Sequence, residues 1–241
     1  MAYSIMRSLA EKQVVIPYLQ NSFKNLENWP VGDVMKIDDP RRHDSKTDDY
    51  FHPSIHSNEC ALGCYIQLEP EERAKLAPEP STFTSVVNPL MGSVMHTIVQ
   101  QKLIVDTLVK PSDVEVALVN EEHHWKGHAD LVFKGELVDI KTMYARKFGL
   151  TKEALDYWKT QLNCYMDAMN LETSIVLVIE TGWPYGMKEF RVNKSNEILD
   201  DIYEKWDFVT QCIKDKTPPS HEGCENRYCS VRTRYDGDIP L

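Results

Sequence analysis

Hydrophobic and polar positions alternate most clearly between residues 113 and 142. The run 113–120 (DVEVALVN) repeats with a period of two, the pattern of a half-buried strand. Similar runs near 125–133 and 136–142 flank the short turn Lys134-Gly135-Glu136, which predicts two strands joined as a hairpin. Residues 173–181 (TSIVLVIET) are continuously apolar instead and predict a strand buried on both faces. A further strand is expected near 187–192.

Around these strands the period changes to that of helices. Residues 2–28 carry an amphipathic helical pattern that ends before Asn28-Trp29-Pro30. Ser54 reads as the cap of a helix running through Cys60 and Cys64 to about Leu68. Asn88-Pro89 reads as the start of another, reaching about Val109, with Leu90, Val94, Ile98 and Gln101 on successive turns. Helices are also expected from Thr151 to about Asn170 and from Ser195 to about Lys216, before the break at Thr217-Pro218-Pro219. The polar run 36–50 (KIDDPRRHDSKTDDY) reads as an exposed loop. This order predicts an α/β fold with a mixed central sheet flanked by helices. It is read as one domain over 1–241, with a helical N-terminal segment 1–82, a core 83–216 and a cysteine-bearing tail 217–241.

Composition narrows the picture only partly. A chain of 241 residues that is 42% hydrophobic can bury one sizeable core. No run of 18 apolar residues occurs, so no membrane span is expected. The start MAYSIMRSLAEKQVV lacks a basic stretch followed by an apolar core, so a cytoplasmic location is expected. The net charge of −10 argues against a protein that coats nucleic acid broadly, because phosphate neutralisation needs clustered Lys and Arg. It leaves room for an enzyme that grips a short length of strand in a locally basic cleft. Six cysteines in such a chain read as reduced thiols or metal ligands rather than a disulfide framework. Four form two close pairs, Cys60/Cys64 and Cys224/Cys229, while Cys164 and Cys212 fall within helical patterns.

The chemistry is concentrated in HWKGHADLVFKGELVDIKT, residues 124–142. Asp139 and Lys141 are two positions apart, so on a strand they share a face. A hairpin brings Asp130 alongside them. Carboxylate oxygens suit a hard divalent cation, and an ammonium beside them can stabilise developing negative charge. His96 lies in the helix upstream, and Gln161 and Tyr165 are one turn apart in the helix downstream. Each has a plain structural alternative: a packed core histidine, a helix–sheet contact, a strand edge with solvated charges.

Taken together, Gly92-x-x-x-His96, Gly127-His128-Ala129-Asp130, Val138-Asp139-Ile140-Lys141-Thr142 and Gln161-Leu162-Asn163-Cys164-Tyr165 resemble the RecB-type nuclease branch of the PD-(D/E)xK superfamily. His52-Pro53-Ser54 followed by cysteine is similar to the phage-encoded exonucleases and the CRISPR-associated nuclease of that branch. The resemblance implies a restriction-endonuclease-like fold and a Mg²⁺ or Mn²⁺ ion held by Asp130, Asp139 and the Ile140 carbonyl. His96 would be a further ligand, and its imidazole favours manganese. Lys141 would orient or activate the attacking water, and Gln161 and Tyr165 would fix the strand and the lysine. The implied activity is metal-dependent DNA hydrolysis, foremost as an exonuclease on DNA ends or single strands in recombination, repair or phage DNA replication. Its partners would be DNA and a replication or recombination protein. The alternatives are a catalytically silent nuclease-fold module that binds DNA or assembles with other proteins, and an endonuclease.

Relatives of this kind hold an iron–sulfur cluster with one cysteine before the core and three after it. Here Cys60 and Cys64 precede it and Cys224 and Cys229 follow, with Cys212 or His221 as a substitute donor. Such a set suits an iron–sulfur cluster or structural Zn²⁺. Free thiols are the alternative.

Overall fold

A computed structural model of the chain describes residues 13–22, 49–77, 83–182, 186–222, 224 and 229–235. Among these residues, five strands form one mixed sheet: β1 Val114–Asn120, β2 Trp125–Phe133, β3 Glu136–Met143, β4 Thr173–Glu180 and β5 Met187–Asn193. Their spatial order follows the chain; only the β3–β4 pair is parallel, and the other pairs are antiparallel. The strand expectations therefore agree with the fold. The β2–β3 turn is tighter than expected, because Glu136 already pairs with Phe133. Lys134 and Gly135 have φ of 54° and 83°, the two-residue hairpin geometry that matches strand twist.

The helices, in chain order, are α1 Ile16–Ser22, α2 Pro53–His56, α3 Ala61–Leu68, α4 Pro70–Arg73, α5 Phe83–Val105, α6 Ala145–Leu150, α7 Asp156–Ala168, α8 Asn196–Asp215 and α9 Ser230–Arg234. A parallel β3–β4 pair needs a crossover, which α6 and α7 supply. The sheet is covered on both faces. On one, Val15, Leu19, Val99 and Leu103 from the α1 and α5 segments meet Val138, Ile140, Ile175 and Leu177. On the other, α3, α7 and α8 place Leu62, Leu162 and Trp206 against Trp125, Val176 and Val178. β4 feeds both cores with alternate residues, which accounts for its unbroken apolar run.

Several helix expectations need correction. The helix expected from Asn88 starts at Phe83 and carries Pro89 inside it, at the expense of one i→i−4 hydrogen bond. Its buried stripe runs through Val99 and Leu103, with Met95 packed beside them, while Leu90 is 47% exposed. The single helix expected from Ser54 to Leu68 breaks at Ser57–Cys60. Lys205 Nζ on α8 donates to the carbonyls of His56, Ser57 and Glu59 at 3.1, 2.8 and 2.9 Å, holding that corner open. Cys60, not Ser54, caps α3, its Sγ accepting from Gly63 N. Thr151 does not start α7; its hydroxyl donates to Lys147 O and closes α6. Of the helix expected over 2–28, α1 lies within the described residues, while residues 2–12 and 23–28 lie outside them, as does most of the expected loop 36–50. Among the described residues, no helix is long and apolar enough to cross a membrane.

Candidate active site at a fork in the sheet

The β2–β3 ladder is short. It pairs Phe133 with Glu136, Val132 with Leu137 and Leu131 with Val138, and there the two strands part. Asp130 occupies the parting point. Its Oδ2 accepts the backbone N–H of Ile140 at 2.7 Å, replacing the strand carbonyl that a continued ladder would offer. On the other side of β2, Val114 pairs with Leu131 and Val116 with Ala129. A two-residue step should keep a strand side chain on one face. Yet Val114 and Leu131 pack into the α1/α5 core, and Val116 and Ala129 into the opposite one. Both strands change face at the intervening residues, Glu115 and Asp130. Glu115 absorbs the change with φ of 49°, a conformation that costs a residue other than glycine on the order of 1–3 kcal/mol.

The polar side chains gather at this fork. Asp139 and Lys141 share a face of β3, and Lys141 Nζ lies 3.1 Å from Asp139 Oδ1 and 3.0 Å from Gln161 Oε1 on α7. Gln161 Nε2 in turn donates to the Tyr165 hydroxyl at 3.3 Å. Tyr165 passes so close to β2 that a Cβ at Gly127 would meet its hydroxyl at 2.8 Å, so a larger residue there would have to displace the tyrosine. From α5, His96 Nδ1 stands 3.5 Å from Asp130 Oδ2. Gln100, one turn on, donates to Asp130 O and to Glu115 Oε1, both at 2.8 Å. A cavity of about 360 Å³ opens here, lined by His96, Asp130, Lys141, Gln161 and Tyr165 together with His52.

Burial and charge act on the two aspartates with opposite results. Burial pushes Asp130 up, but His96, Lys141 and the Ile140 N–H outweigh it and hold the carboxyl at about 2. For Asp139, burial prevails, helped by the charge of Asp130, and the carboxyl rises to about 6 despite Lys141. For Lys141, burial works against the charge, but Asp139 and Asp130 more than offset it, raising the ammonium above its ordinary value. Burial likewise raises the Tyr165 phenol.

The fork thus brings together Asp130, Asp139, Lys141, Gln161, Tyr165 and His96, with Ile140 joined to Asp130 through its N–H. Ligand atoms of His96, Asp130 and Glu115 all lie within 4.8 Å of one another. Asp139 is 2% exposed, and among the described residues its Oδ2 accepts no hydrogen bond although Lys141 Nζ stands 3.1 Å away. Two carboxylates and one imidazole, those of Asp130, Glu115 and His96, fit a divalent cation such as Mg²⁺ or Mn²⁺, while Asp139 stands outside that 4.8 Å group. Glu115 and Gln100 were missed in the sequence. Gln100 had a signal, being one turn from His96. Glu115 had none, since in DVEVALVN it reads as the solvent half of an alternation.

A second polar cluster lies where the tail meets the start of α3. Cys60 Sγ is 3.4 Å from Cys229 Sγ, and His221 Nε2 is 3.3 Å from Cys229 Sγ. With Cys224 these donors all lie within 4.8 Å of one another. Cys64 is not among them, which corrects the expected four-cysteine set. Residues four apart share a face only when both are helical. Cys60 is an extended cap (φ −72°, ψ 164°), and Cys64 instead turns its thiol to His56 O at 3.5 Å. Burial pushes the Cys64 thiol up to about 12 and raises those of Cys60 and Cys229 as well.

No protein-family model matches the chain, and no curated protein matches its sequence. Solved structures do match it. The crystal structure of SSO0001 is 17% identical with a TM-score of 0.50, covering 71% of this chain and 79% of its own. A protein of Eubacterium rectale named "Putative exonuclease" is 14% identical with a TM-score of 0.52, covering 80% of this chain and 91% of its own. At such identities the likeness establishes the fold, a mixed five-stranded sheet flanked by helices.

Proposed function

We propose that this protein is a divalent-metal-dependent nuclease of the PD-(D/E)xK type that hydrolyses phosphodiester bonds in DNA, working from ends or on single strands. The observation that carries this reading is the fork itself, where Asp130, Asp139 and Lys141 meet His96 and Gln161 beside an open cavity. The exonuclease name carried by the Eubacterium rectale neighbour supports the same reading.

Asp130, Asp139 and His96 would hold Mg²⁺ or Mn²⁺, with the Ile140 carbonyl and Glu115 as further donors. Such a cation supplies Lewis-acid polarisation of the phosphate and a water acidic enough to attack it. The chain's own residues do the rest. Lys141 has three N–H donors; Asp139 and Gln161 take two, leaving one for a water or a phosphate oxygen in the cavity. Because neighbouring carboxylates raise its pKa, Lys141 stays protonated at neutral pH, which suits charge stabilisation rather than proton abstraction. Tyr165 holds Gln161, and Gln161 holds the lysine. The carboxylates repel a phosphate unless a cation is present, so DNA should engage the fork only after metal.

The test is cleavage of end-labelled single-stranded and duplex DNA with Mg²⁺, Mn²⁺ or chelator, beside Asp139→Ala. Metal-dependent loss of substrate is expected, falling at least about a thousandfold in the variant. Absence of cleavage by folded, metal-supplied protein would overturn the enzyme reading, and cutting of closed circular DNA would replace exonuclease by endonuclease.

A further inference from the structure

We infer that Cys60, His221, Cys224 and Cys229 form a mononuclear site for structural zinc that locks the tail onto the corner before α3. The argument starts from distance. Around a tetrahedral zinc, with Zn–S of ~2.3 Å and Zn–N of ~2.0 Å, ligand atoms stand roughly 3.3–3.8 Å apart. Two of the donor pairs here are 3.4 and 3.3 Å apart, and every pair is within 4.8 Å. An iron–sulfur cluster distributes its protein ligands over several irons and spreads them beyond the shell of one ion. Four donors this close therefore favour a single ion.

Donor type points the same way. Three thiols and an imidazole suit zinc and not the hard cations expected at the fork. The two clusters share no ligand.

The surroundings are built to hold the donors. Glu59 accepts the Cys60 N–H at 3.2 Å and the Ser230 N–H at 3.3 Å, bridging the two segments that carry ligands. Gln67 Nε2 donates to both Glu59 Oε2 and Ser230 Oγ, each at 3.3 Å. Gly63 N donates to Cys60 Sγ at 3.3 Å, and Arg232 donates to the Cys224 carbonyl. Such hydrogen bonds orient ligands around a metal. Lys205, gripping three carbonyls just before Cys60, fixes the corner against α8. The cross-link would tie position 60 to the tail and stabilise the fold by closing a long loop.

The experiment is metal analysis and absorption spectroscopy of the full chain, purified without a polyhistidine tag and supplied with micromolar zinc. We expect about one zinc per chain, no visible colour, and on exchange with Co²⁺ the d–d and thiolate charge-transfer bands of a tetrahedral thiolate site. Cys224→Ser should weaken zinc binding at least about tenfold, whereas His221→Cys and Cys64→Ser should keep the ion. If Cys224→Ser fails to fold, the cobalt spectrum of the unaltered chain still reports the number of thiolates. Iron with acid-labile sulfide would overturn the proposal. So would a Cys60–Cys229 disulfide in metal-free protein, failure to bind zinc, or loss of zinc in Cys64→Ser. Asp139→Ala should retain the zinc, so a failed nuclease reading and a failed zinc site give different results.

Discussion

Asp130 meets Ile140 across ten positions of one hairpin, whereas Cys60 meets Cys229 across 169. The fork is made where a strand ladder stops and a side chain takes over a backbone hydrogen bond. The thiol cluster is made where the end of the described chain returns to a corner near its start. The first concentrates charge and a residue at positive φ around an open cavity. The second seats soft donors against an apolar core that contains Cys229 itself. Strain and unbalanced charge reduce stability and persist where the surrounding structure over-determines them, often at sites of chemistry. A cross-link between distant segments raises stability. Metal removal should therefore silence the fork without unfolding it, and loosen the tail without touching the fork.

After Asp139→Ala, the largest effect expected from sharpening this contrast is that of Lys141→Met. Loss of the ammonium should lower kcat roughly 10²–10³-fold while leaving the zinc content unchanged. The variant also strands Asp139 without its cation, so the metal-free protein should be less stable than the unaltered chain at pH 7, and the gap should narrow at pH 5, where Asp139 is protonated. Single-turnover cleavage and thermal melts at the two pH values check both halves. Unchanged kcat would make Lys141 a structural partner of Asp139 and nothing more.

How far the sequence anticipated each region follows from the same contrast. The hairpin was legible because alternation and Lys134-Gly135 are local signals, and because Asp139 and Lys141 need only strand periodicity to share a face. Gln161 and Tyr165 needed only helical spacing. Glu115 was not legible, because its inward turn depends on a φ that no neighbouring residue announces. The inclusion of Cys64 failed for a comparable reason: spacing suggested a continuous helix, and Lys205, far along the chain, breaks it. His221 was only a substitute in the sequence because nothing local says that the tail folds back. The buried stripe of α5 was displaced because its apolar residues allow two stripes, and the sheet selects the one through Val99 and Leu103.

A smaller effect concerns pH. Asp139 in the folded chain, at about 6, lies above an ordinary carboxyl, so between about pH 4 and 6 the folded state holds a proton that the unfolded chain has released. The stability that this protonation confers on the metal-free protein is present below about pH 4 and fades as pH rises through 6. Asp130, held near 2, acts in the opposite sense: its contribution is present above about pH 4 and lost as pH falls towards 2. Cation binding needs Asp139 ionised, so the rise in Tm given by Mn²⁺ should grow from pH 5 to pH 7. Asp139→Asn should flatten both trends. A Mn²⁺ increment independent of pH in the unaltered chain would remove Asp139 from the cation site.

Glu115→Gln gives the smallest effect and the finest test of how the fork is assembled. Glutamine keeps the positive φ and can still accept from Gln100, but it removes the negative charge facing Asp130 and His96. If Glu115 is a ligand, the Mn²⁺ affinity should weaken roughly tenfold while kcat at saturating metal stays within a few-fold. Glu115→Gly should also lose affinity, yet relieve up to about 1–2 kcal/mol of backbone strain, since glycine accepts that φ freely. A glycine variant that binds metal more weakly and melts higher would identify the strain as the cost of aiming a carboxylate into the fork. If both variants bind Mn²⁺ as the unaltered chain does, Glu115 is only the acceptor that fixes Gln100, and His96, Asp130 and Asp139 hold the cation without it.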